Sequence, residues 1–435
     1  MRLFADAIAC GVGARQVRWG ENLHRAAFAL GTGIQPTADS PVVLAGDAPG
    51  GMATTAGVNA SLINCLDYDD THFGHPGAVV VPVALAVGHG AGSSRDQLIE
   101  AVIVGYEIAG KVAAATNPSR SARNVAWGTG LRFAPAAAGV AGKLLGLDRR
   151  RLAHALALAA CDGPVPSVRQ AVYSSGGPSM GKNNYAASAT AGVMAAFLAQ
   201  EGITGPLDIF DSTGGFAALT GTDQWRPTEL TSARVHVDEV ESKPYSCCRK
   251  IHASLDALHE LQSRHGFSHE DVLAVTLVSS GWSAGDCFAN PRPQQIVDVQ
   301  FSAAFCAALV MHGVPTGVDW FTPTVLSNEA LYATSRKVQL KAPSYAMPAE
   351  TRSWWTEVEV RTTSGVYECA VSTPKGSPGN PMTDEELRNK SSSLVAPVLG
   401  ADRASKVYEA VVDRSSQVDA RGLSTLFAMN TSAPV

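Results

Sequence analysis

The stretch Leu66-Asp-Tyr-Asp-Asp-Thr-His-Phe-Gly-His-Pro-Gly77 places a dense group of polar side chains between two apolar segments. Within one short turn it carries three carboxylates, one hydroxyl and two imidazoles: Asp67, Asp69, Asp70, Thr71, His72 and His75. Ionisable groups beside buried segments cost desolvation free energy unless they are paired or take part in chemistry. The stretch therefore predicts the end of one core helix, a polar turn that faces a cavity, and the start of the next core helix.

The composition is that of a large globular protein. A chain of 435 residues exceeds one simple core, so two domains are expected. Hydrophobic residues make up 46% of the chain and charged residues only 17%, against about a quarter in an average soluble protein. This low charge predicts extensive buried surface, either in a helical core or in the interface of an oligomer.

Charge, hydropathy and cysteine spacing exclude several functions. The net charge is −5 and no basic run is present, so we expect no nucleic-acid partner. No apolar run reaches the roughly 18 residues of a membrane span, and the first residues lack a signal-peptide pattern, so we expect no membrane partner. The eight cysteines include no Cys-x-x-Cys spacing, which favours a reduced, cytoplasmic protein without a zinc or iron–sulfur site.

Helical periodicity dominates the first 266 residues. One early helix is expected to bury a face formed by Trp19, Leu23, Ala26 and Leu30. A helix at 79–89 would carry Pro82 in its first turn, where proline is tolerated. Further helices are predicted at 52–66, 96–116, 135–145, 148–161, 184–200 and 253–263, with a strand-like segment at 235–240.

The pattern changes after residue 266. β-Branched alternation predicts strands at 271–280, 354–363 and 367–372, with helices at 297–311 and 382–391 and returning helices at 401–412 and 417–427. The predicted fold is therefore mainly α. It has a large all-helical domain of residues 1–266, completed by 396–435, and a smaller α+β domain of residues 267–395.

Cations are expected at two further places. Gly176-Gly-Pro-Ser-Met-Gly-Lys182 nearly spells a phosphate-binding loop, but Asn183 replaces the hydroxyl residue and Pro178 removes a backbone donor. Lys182 remains at the predicted start of a helix, where an anion would offset its unfavourable interaction with the helix dipole. A second positive cluster lies in one segment: Lys243, Tyr245, Arg249, Lys250 and His252.

Acids, imidazoles and cations drawn from distant parts of a helical core suit a small polyanionic substrate. The cations would hold carboxylates, and a carboxylate or imidazole would remove a proton next to a carboxylate while its neighbour protonates a leaving hydroxyl. Nearby cations would stabilise the developing enolate. This chemistry requires neither a cofactor nor a metal ion.

Three other interpretations of the acidic turn remain open. Asp67-Tyr-Asp-Asp70 matches the Asp-x-Asp-Asp pattern of terpene cyclases, although the chain offers cations where those enzymes need an aromatic lining. Asp70, His72 and His75 could ligate a metal, although their turn lacks the helical i, i+4 spacing. The turn could also be structural, with Asp69 and Asp70 capping a helix.

Pieces spread in order over nearly the whole chain resemble the MmgE/PrpD family, which includes 2-methylcitrate dehydratase, cis-aconitate decarboxylase and iminodisuccinate epimerase. They are Leu66-Asp-Tyr-Asp-Asp-Thr-His with His75-Pro-Gly, Gly105-Tyr-Glu-Ile-Ala-Gly, Thr129-Gly130, Lys143-Leu-Leu-Gly-Leu, Lys182, Gly202-Ile-Thr-Gly-Pro, Lys243-Pro-Tyr-Ser-Cys-Cys-Arg, Asp298-Val-Gln-Phe-Ser302 and Pro374-Lys-Gly-Ser-Pro. The resemblance implies a helical domain, an α+β lid, a cleft between them and a homodimer.

The resemblance also implies a cofactor-independent lyase or isomerase that acts on a di- or tricarboxylate. Five residues match positions that line the active site of such enzymes and are predicted to be catalytic: Asp67, Thr71, His75, Lys182 and Lys243. Asp67 and His75 would form the acid–base pair, with the lysines as carboxylate anchors. The predicted substrate-binding residues are Trp127, Thr129, Arg132, Tyr245, Cys248, Arg249 and His252.

The chain departs from the family pattern at two positions. Trp127-Gly128 stands where members often carry a histidine before Thr-Gly. Decarboxylase-type members have a histidine near the sequence position that Cys248 occupies in this chain. We therefore expect a lyase that removes water or carbon dioxide. An epimerase, an enzyme diverted to another reaction in secondary metabolism, or a binding protein that has lost the family reaction are the alternatives.

Overall fold

Helices dominate the computed structural model, which confirms the mainly α prediction. The structure describes residues 1–31, 40–46, 50–123, 129–165, 173–174, 177–178, 184–279, 286–344 and 355–429. Across these residues, no helix combines the length and the apolar character that crossing a bilayer requires.

The first half of the chain forms nine helices among the described residues. They are α1 (Arg2–Gly13), α2 (Arg18–Gly31), α3 (Met52–Asn64), α4 (Gly77–Ala91), α5 (Arg95–Ala115), α6 (Arg120–Arg123), α7 (Gly130–Leu144), α8 (Arg149–Asp162) and α9 (Tyr185–Gln200). Two short antiparallel strands, β1 (Tyr173–Ser174) and β2 (Gly177–Pro178), lie between α8 and α9.

Small side chains let these helices pack closely around α7. Helix α7 contacts α4, α5, α8 and α9, and its inner face is rich in alanine and glycine. A Cβ atom on Gly192 of α9 would lie 2.2 Å from the Cβ of Ala137 and 2.6 Å from the backbone nitrogen of Ala138. The α7–α9 contact therefore depends on glycine, because any larger residue would push the two backbones apart.

The second half is built around a small mixed sheet. Strands β3 (Val272–Ser279), β4 (Val338–Lys341), β5 (Thr356–Thr362) and β6 (Val366–Val371) lie in the order β4-β3-β5-β6. β3 is parallel to β4, and the other two pairings are antiparallel. The described residues of this part of the chain form five helices: α10 (His252–His265), α11 (Ile296–Phe301), α12 (Ala303–Met311), α13 (Pro323–Leu326) and α14 (Glu329–Ser335).

Three final helices return to the beginning of the chain. They are α15 (Asp384–Leu399), α16 (Ala401–Val412) and α17 (Ala420–Phe427). Helix α15 packs against α1, where the buried Lys390 Nζ lies 2.8 Å from Asp6 Oδ1. Short connecting turns complete the described fold: Ala14–Gln16, Thr213–Ala217, Ala218–Thr220, Pro227–Thr231, Val237–Glu239, Arg249–Ile251, Asp286–Ala289 and Val318–Phe321.

Three details of the predicted elements were wrong. The segment 235–240 forms a 3₁₀ turn, Val237–Glu239, in which Glu239 N donates to His236 O. The helix predicted at 297–311 is two helices, because Ser302 leaves helical geometry and caps α12 by accepting from Phe305 N. Pro82 lies well inside α4, beyond its first turn.

The predicted core face of α2 was right for Trp19 and Leu23, which are partly buried against the core, and wrong for Ala26 and Leu30, which are exposed. The helix buries Gly20, His24 and Ala27, whereas Leu30 is 63% exposed. A Cβ atom on Gly20 would lie 1.8 Å from Ala14 O. The backbone of α2 at Gly20 therefore packs directly against the backbone at Ala14, and this contact, rather than side-chain hydropathy, sets which face of α2 is buried. The division into a helical domain and an α+β lid at residues 267–395 stays a prediction.

Candidate active site

Unusual backbone geometry shapes the acidic turn between α3 and α4. Asp67 and Phe73 adopt φ values of 49° and 54°, and Gly74 adopts 145°. Left-handed conformations are strained for residues other than glycine and persist where surrounding contacts fix them. Here Lys243 Nζ donates to Asp67 O at 2.8 Å, and Gly74 O accepts from His72 N and from Thr71 Oγ1. The fold thus holds the predicted site residues in one defined shape.

Four polar side chains form a continuous row across this turn. Lys243 Nζ lies 3.2 Å from Asp67 Oδ1, and the same oxygen lies 3.3 Å from His75 Nε2. On the other side of the imidazole, His75 Nδ1 lies 3.2 Å from Asp69 Oδ2. Asn64 Nδ2 donates to Asp69 at 3.0 Å and fixes that carboxylate in turn. The row places the His75 imidazole between two carboxylates, one of which is paired with a lysine.

Exposure distinguishes the members of this row. The His75 side chain is 13% exposed, whereas those of Asp67, Asp69 and Lys243 are 2%, 0% and 1% exposed. His75 is therefore the member best placed to meet a substrate, and the other three act from behind it. A ligand could approach the imidazole without displacing the buried ion pair.

Tyr185 and Thr129 hold the backbone beside His75. His75 N donates to the Tyr185 hydroxyl at 3.1 Å, and this hydroxyl lies 2.9 Å from Thr129 Oγ1. Burial raises the pKa of Tyr185, so its hydroxyl stays protonated and available as a donor. Thr129 precedes α7, and Tyr185 opens α9, so the contact between these two helices sets the position of His75.

Asp70 faces away from this row and joins α4 to α5. Its Oδ1 accepts from Gly77 N at 3.0 Å at the start of α4, and its Oδ2 accepts from the Tyr106 hydroxyl. Burial, followed by the Asp69 carboxylate, raises the pKa of Asp70 to about 7. A Cβ atom on Gly77 would lie 2.3 Å from Asp70 Oδ2, so the contact also requires glycine there.

The predicted positive cluster makes contacts within the protein. Arg249 Nε lies 2.5 Å from Glu241 Oε2, and its Nη atoms donate to Lys375 O and Ser377 Oγ at 2.7 Å. Burial, then the charges of Arg249 and Lys243, lower the pKa of His252 well below its usual range, so this imidazole is neutral. Tyr245 donates to Asp256 Oδ1 at 2.9 Å. These three residues support the loop that carries Lys243.

Of the remaining predicted residues, two lie in the described part of the chain and two lie outside it. Cys248 donates its backbone N–H to Gln300 O at 2.8 Å, and burial, followed by the Asp67 charge, raises the pKa of its thiol. Arg132 is buried on α7. Trp127 and Lys182 lie outside the described residues.

Sequence reasoning missed three partners of the row. Asn64 and Tyr185 bond to the turn, and the buried Lys390 donates to Tyr68 O at 2.7 Å within it. Asn64 could have been found because it closes the helix just before Asp67. Tyr185 and Lys390 carry no local signal, because only the tertiary fold brings them close.

Two groups of metal-ligand type occur among the described residues. The ligand atoms of Asp67, Asp69 and His75 lie within 4.8 Å of one another, and so do those of His72, His236 and Glu239. In the first group the Lys243 ammonium already neutralises Asp67 and would repel a cation, which favours proton chemistry. The set Asp70, His72 and His75 is not brought together, because each side chain bonds to a different partner.

Comparison with known proteins shows the family of this chain. The MmgE/PrpD N-terminal domain matches residues 1–228, and the MmgE/PrpD C-terminal domain matches residues 245–414. The chain is 26% identical to the cis-aconitate decarboxylase-like protein oryM of Aspergillus oryzae, over 98% of this chain and 92% of that protein. It is 24% identical to a cis-aconitate decarboxylase of Aspergillus terreus, over 100% of this chain and 92% of that protein. The predicted resemblance is confirmed, and the chain belongs to the MmgE/PrpD family.

Proposed function

We propose that this protein is a lyase that removes carbon dioxide or water from a di- or tricarboxylate without a cofactor. The observation that carries the proposal is the contact between His75 and Asp67, backed by Lys243 on one side and by Asp69 on the other. Such a pair can hold a proton on either group and move it over a short distance, as general acid–base catalysis requires.

Both lyase reactions can use this pair: decarboxylation needs a proton donor, and dehydration needs both a base and an acid. In decarboxylation of an unsaturated acid, the bond to the departing carboxylate breaks and its electron pair enters the conjugated chain, which then takes a proton. In dehydration, a base removes the proton beside a carboxylate, and the same electron pair expels a hydroxyl that an acid protonates. The substrate's own carboxylates delocalise the charge, so the reaction requires no external electron acceptor.

The names of the relatives favour decarboxylation as the first reaction to test. Both fungal proteins are described as cis-aconitate decarboxylase or as similar to it. Trp127-Gly128 stands where family members often carry a histidine, and decarboxylase-type members are expected to have a histidine near the position of Cys248. We therefore propose cis-aconitate as the reference substrate and a related, less polar polycarboxylate as an alternative.

The roles of the individual residues follow from their exposure. His75 would exchange a proton with the substrate, Asp67 would exchange it with His75, and Lys243 would balance the Asp67 charge instead of binding the substrate directly. Lys182 is then the predicted anchor for a substrate carboxylate. The other residues proposed to bind the substrate are Trp127, Thr129, Arg132 and Cys248. A cleft beneath an α+β lid, a homodimer and a cytoplasmic location complete the proposal.

Epimerisation of a dicarboxylate is the alternative reaction. A two-base epimerase needs its acid and base on opposite faces of one carbon. Asp67 and His75 contact each other at 3.3 Å and therefore approach a substrate from the same side. This contact favours a lyase, although an epimerase could recruit its second base from elsewhere.

Proton NMR in deuterium oxide tests the proposal with a panel of cis-aconitate, citrate and 2-methylcitrate. A lyase consumes a substrate signal and produces a new vinyl resonance, and the product separates loss of carbon dioxide from loss of water. Deuterium exchange at one carbon without net conversion would favour an epimerase. No change in any member of the panel would contradict the proposed polycarboxylate lyase.

A further inference from the structure

We propose that His72, His236 and Glu239 form a binding site for one divalent transition-metal ion of the zinc class. This group, called the His72 cluster below, is separate from the Asp67–His75 pair. The inference does not depend on the proposed lyase reaction, because metal binding can be measured without a substrate.

The geometry of the His72 cluster suits an ion with nitrogen and oxygen ligands. His72 Nε2 and His236 Nδ1 lie 3.0 Å apart, and the three ligand atoms all lie within 4.8 Å of one another. Two nitrogens bound at about 2.0–2.1 Å in a tetrahedral site stand roughly 3.3 Å apart. The two imidazoles therefore need only a small movement to share an ion, and two histidines with a glutamate leave a fourth position open.

The backbone holds the two halves of the cluster together before any ion binds. Thr71 and Glu241 exchange two backbone hydrogen bonds of 2.9 Å, which join the acidic turn to the segment that carries His236. His236 immediately precedes the 3₁₀ turn Val237–Glu239, so it lies one helical turn from Glu239. A Cβ atom on Gly110 would lie 2.3 Å from the Cβ of His236, so this buried ring also packs tightly against α5.

Neighbouring charges reduce the expected affinity without excluding an ion. Arg234 forms a bidentate pair with Glu239, with Nε 2.5 Å from Oε1 and Nη2 donating to Oε2, so an ion must displace part of this pair to reach the carboxylate. Both side chains are partly exposed, so this displacement costs less than it would for a buried pair. The Glu107 carboxylate accepts from Val237 N nearby and adds negative charge, while Lys111 donates to Ser232 O. Among the described residues, His236 Nε2 has no hydrogen-bond partner, and a missing outer-shell partner typically costs about 10–100-fold in affinity.

An ion in the His72 cluster would also stabilise the turn that carries His75. His72 N and Thr71 Oγ1 both bond to Gly74 O, which directly precedes His75 in the chain. Coordination of His72 would thus restrict the conformation of this strained turn. The proposed role of the ion is to position His75, and the ion itself does not contact the substrate.

The test is a titration of the full-length, chelator-treated protein with Co²⁺ and Zn²⁺. Co²⁺ should produce ligand-field absorption in the visible range, and calorimetry with Zn²⁺ should show one equivalent bound. His72→Gln and Glu239→Gln should each raise the dissociation constant by at least about tenfold, because each removes a ligand. Glu239 is partly exposed, so its variant is expected to fold.

Two further variants locate the ion. His259→Gln removes an exposed imidazole elsewhere and should leave both titrations unchanged. His75→Gln should also retain the single equivalent, whereas loss of binding in this variant would place the ion at Asp67, Asp69 and His75. That result would overturn the proposal. Absence of binding to the wild-type protein, or unchanged affinity in both His72→Gln and Glu239→Gln, would overturn it as well.

Discussion

At the scale of single residues, the site depends on charges that are buried in pairs. Lys243 and Asp67 are both nearly inaccessible to solvent, and each compensates the other. The sequence predicted Asp67, His75 and Lys243 because these residue types are rare between apolar segments. The sequence predicted Lys243 as an anchor for a substrate carboxylate, and its spacing does not show the contact of this lysine with Asp67.

Lys243→Met should destabilise the protein strongly. Removing one member of a buried ion pair leaves the other charge desolvated and typically costs about 3–5 kcal/mol. Adding Asp67→Asn to the same chain should restore part of that loss, and thermal unfolding measures both effects. Lys406→Met, which removes the exposed partner of Asp402, is the control and should cost less than about 1 kcal/mol. Equal effects of Lys243→Met and Lys406→Met would contradict the buried pairing.

Asp70 should make stability depend on pH near neutrality. Its pKa is raised to about 7 by burial and by Asp69, so between about pH 4 and about pH 7 the folded protein holds a proton that the unfolded chain releases. The stabilisation from this group is complete below about pH 4 and is lost as the pH rises through about 7, with a ceiling on the order of 4 kcal/mol.

Thermal midpoints between about pH 5 and about pH 8 test this dependence. The wild-type midpoint should fall more steeply with rising pH than that of Asp70→Asn, whose amide does not titrate and still accepts from Gly77 N. Asp402→Asn, a change at an exposed carboxylate, should follow the wild-type curve. Parallel curves for wild type and Asp70→Asn would show that Asp70 does not titrate in this range.

At the scale of elements, helix contacts set the site. Periodicity predicted α5, α8 and α9 to within a residue at each end, because each buries one apolar face over several turns. It placed the start of α7 five residues late, at 135 instead of Gly130, and this helix is buried on all sides over most of its length. It failed at 235–240, where an alternating pattern without a neighbouring strand folds into a 3₁₀ turn. It was right only in part at α2, where Trp19 and Leu23 pack against the core but Gly20 lies against the backbone at Ala14, which hydropathy alone does not indicate.

Gly192→Ala should weaken the α7–α9 contact and move Tyr185 relative to His75. Alanine normally favours a helix over glycine by about 1 kcal/mol, but here its Cβ would meet Ala137 and the backbone of Ala138. Overpacking of this kind costs about 1–3 kcal/mol, so the thermal midpoint and turnover should both fall. Gly51→Ala is the control for a methyl group that meets open space; because Gly51 is the N-cap of α3, only the small loss from weaker capping is expected there, and turnover should not change. A stabilised Gly192→Ala protein would contradict the close packing.

At the scale of the whole molecule, composition and resemblance predict a homodimer. The chain has only 17% charged residues, and exposed apolar side chains such as Phe28, Met194 and Leu207 remain on its surface. Light scattering at micromolar concentration should give twice the chain mass of 45.3 kDa. A mass of one chain under these conditions would contradict the predicted oligomer.

The proposed catalysis requires the proton to pass between Asp67 and His75, and turnover by Asp67→Asn tests this step most directly. With cis-aconitate, or whichever polycarboxylate the NMR panel identifies, kcat should fall by at least about 100-fold, the lower end of what general acid–base groups contribute. Asp402→Asn should keep wild-type kcat. Turnover by Asp67→Asn within about threefold of wild type would show that this carboxylate makes no such contribution.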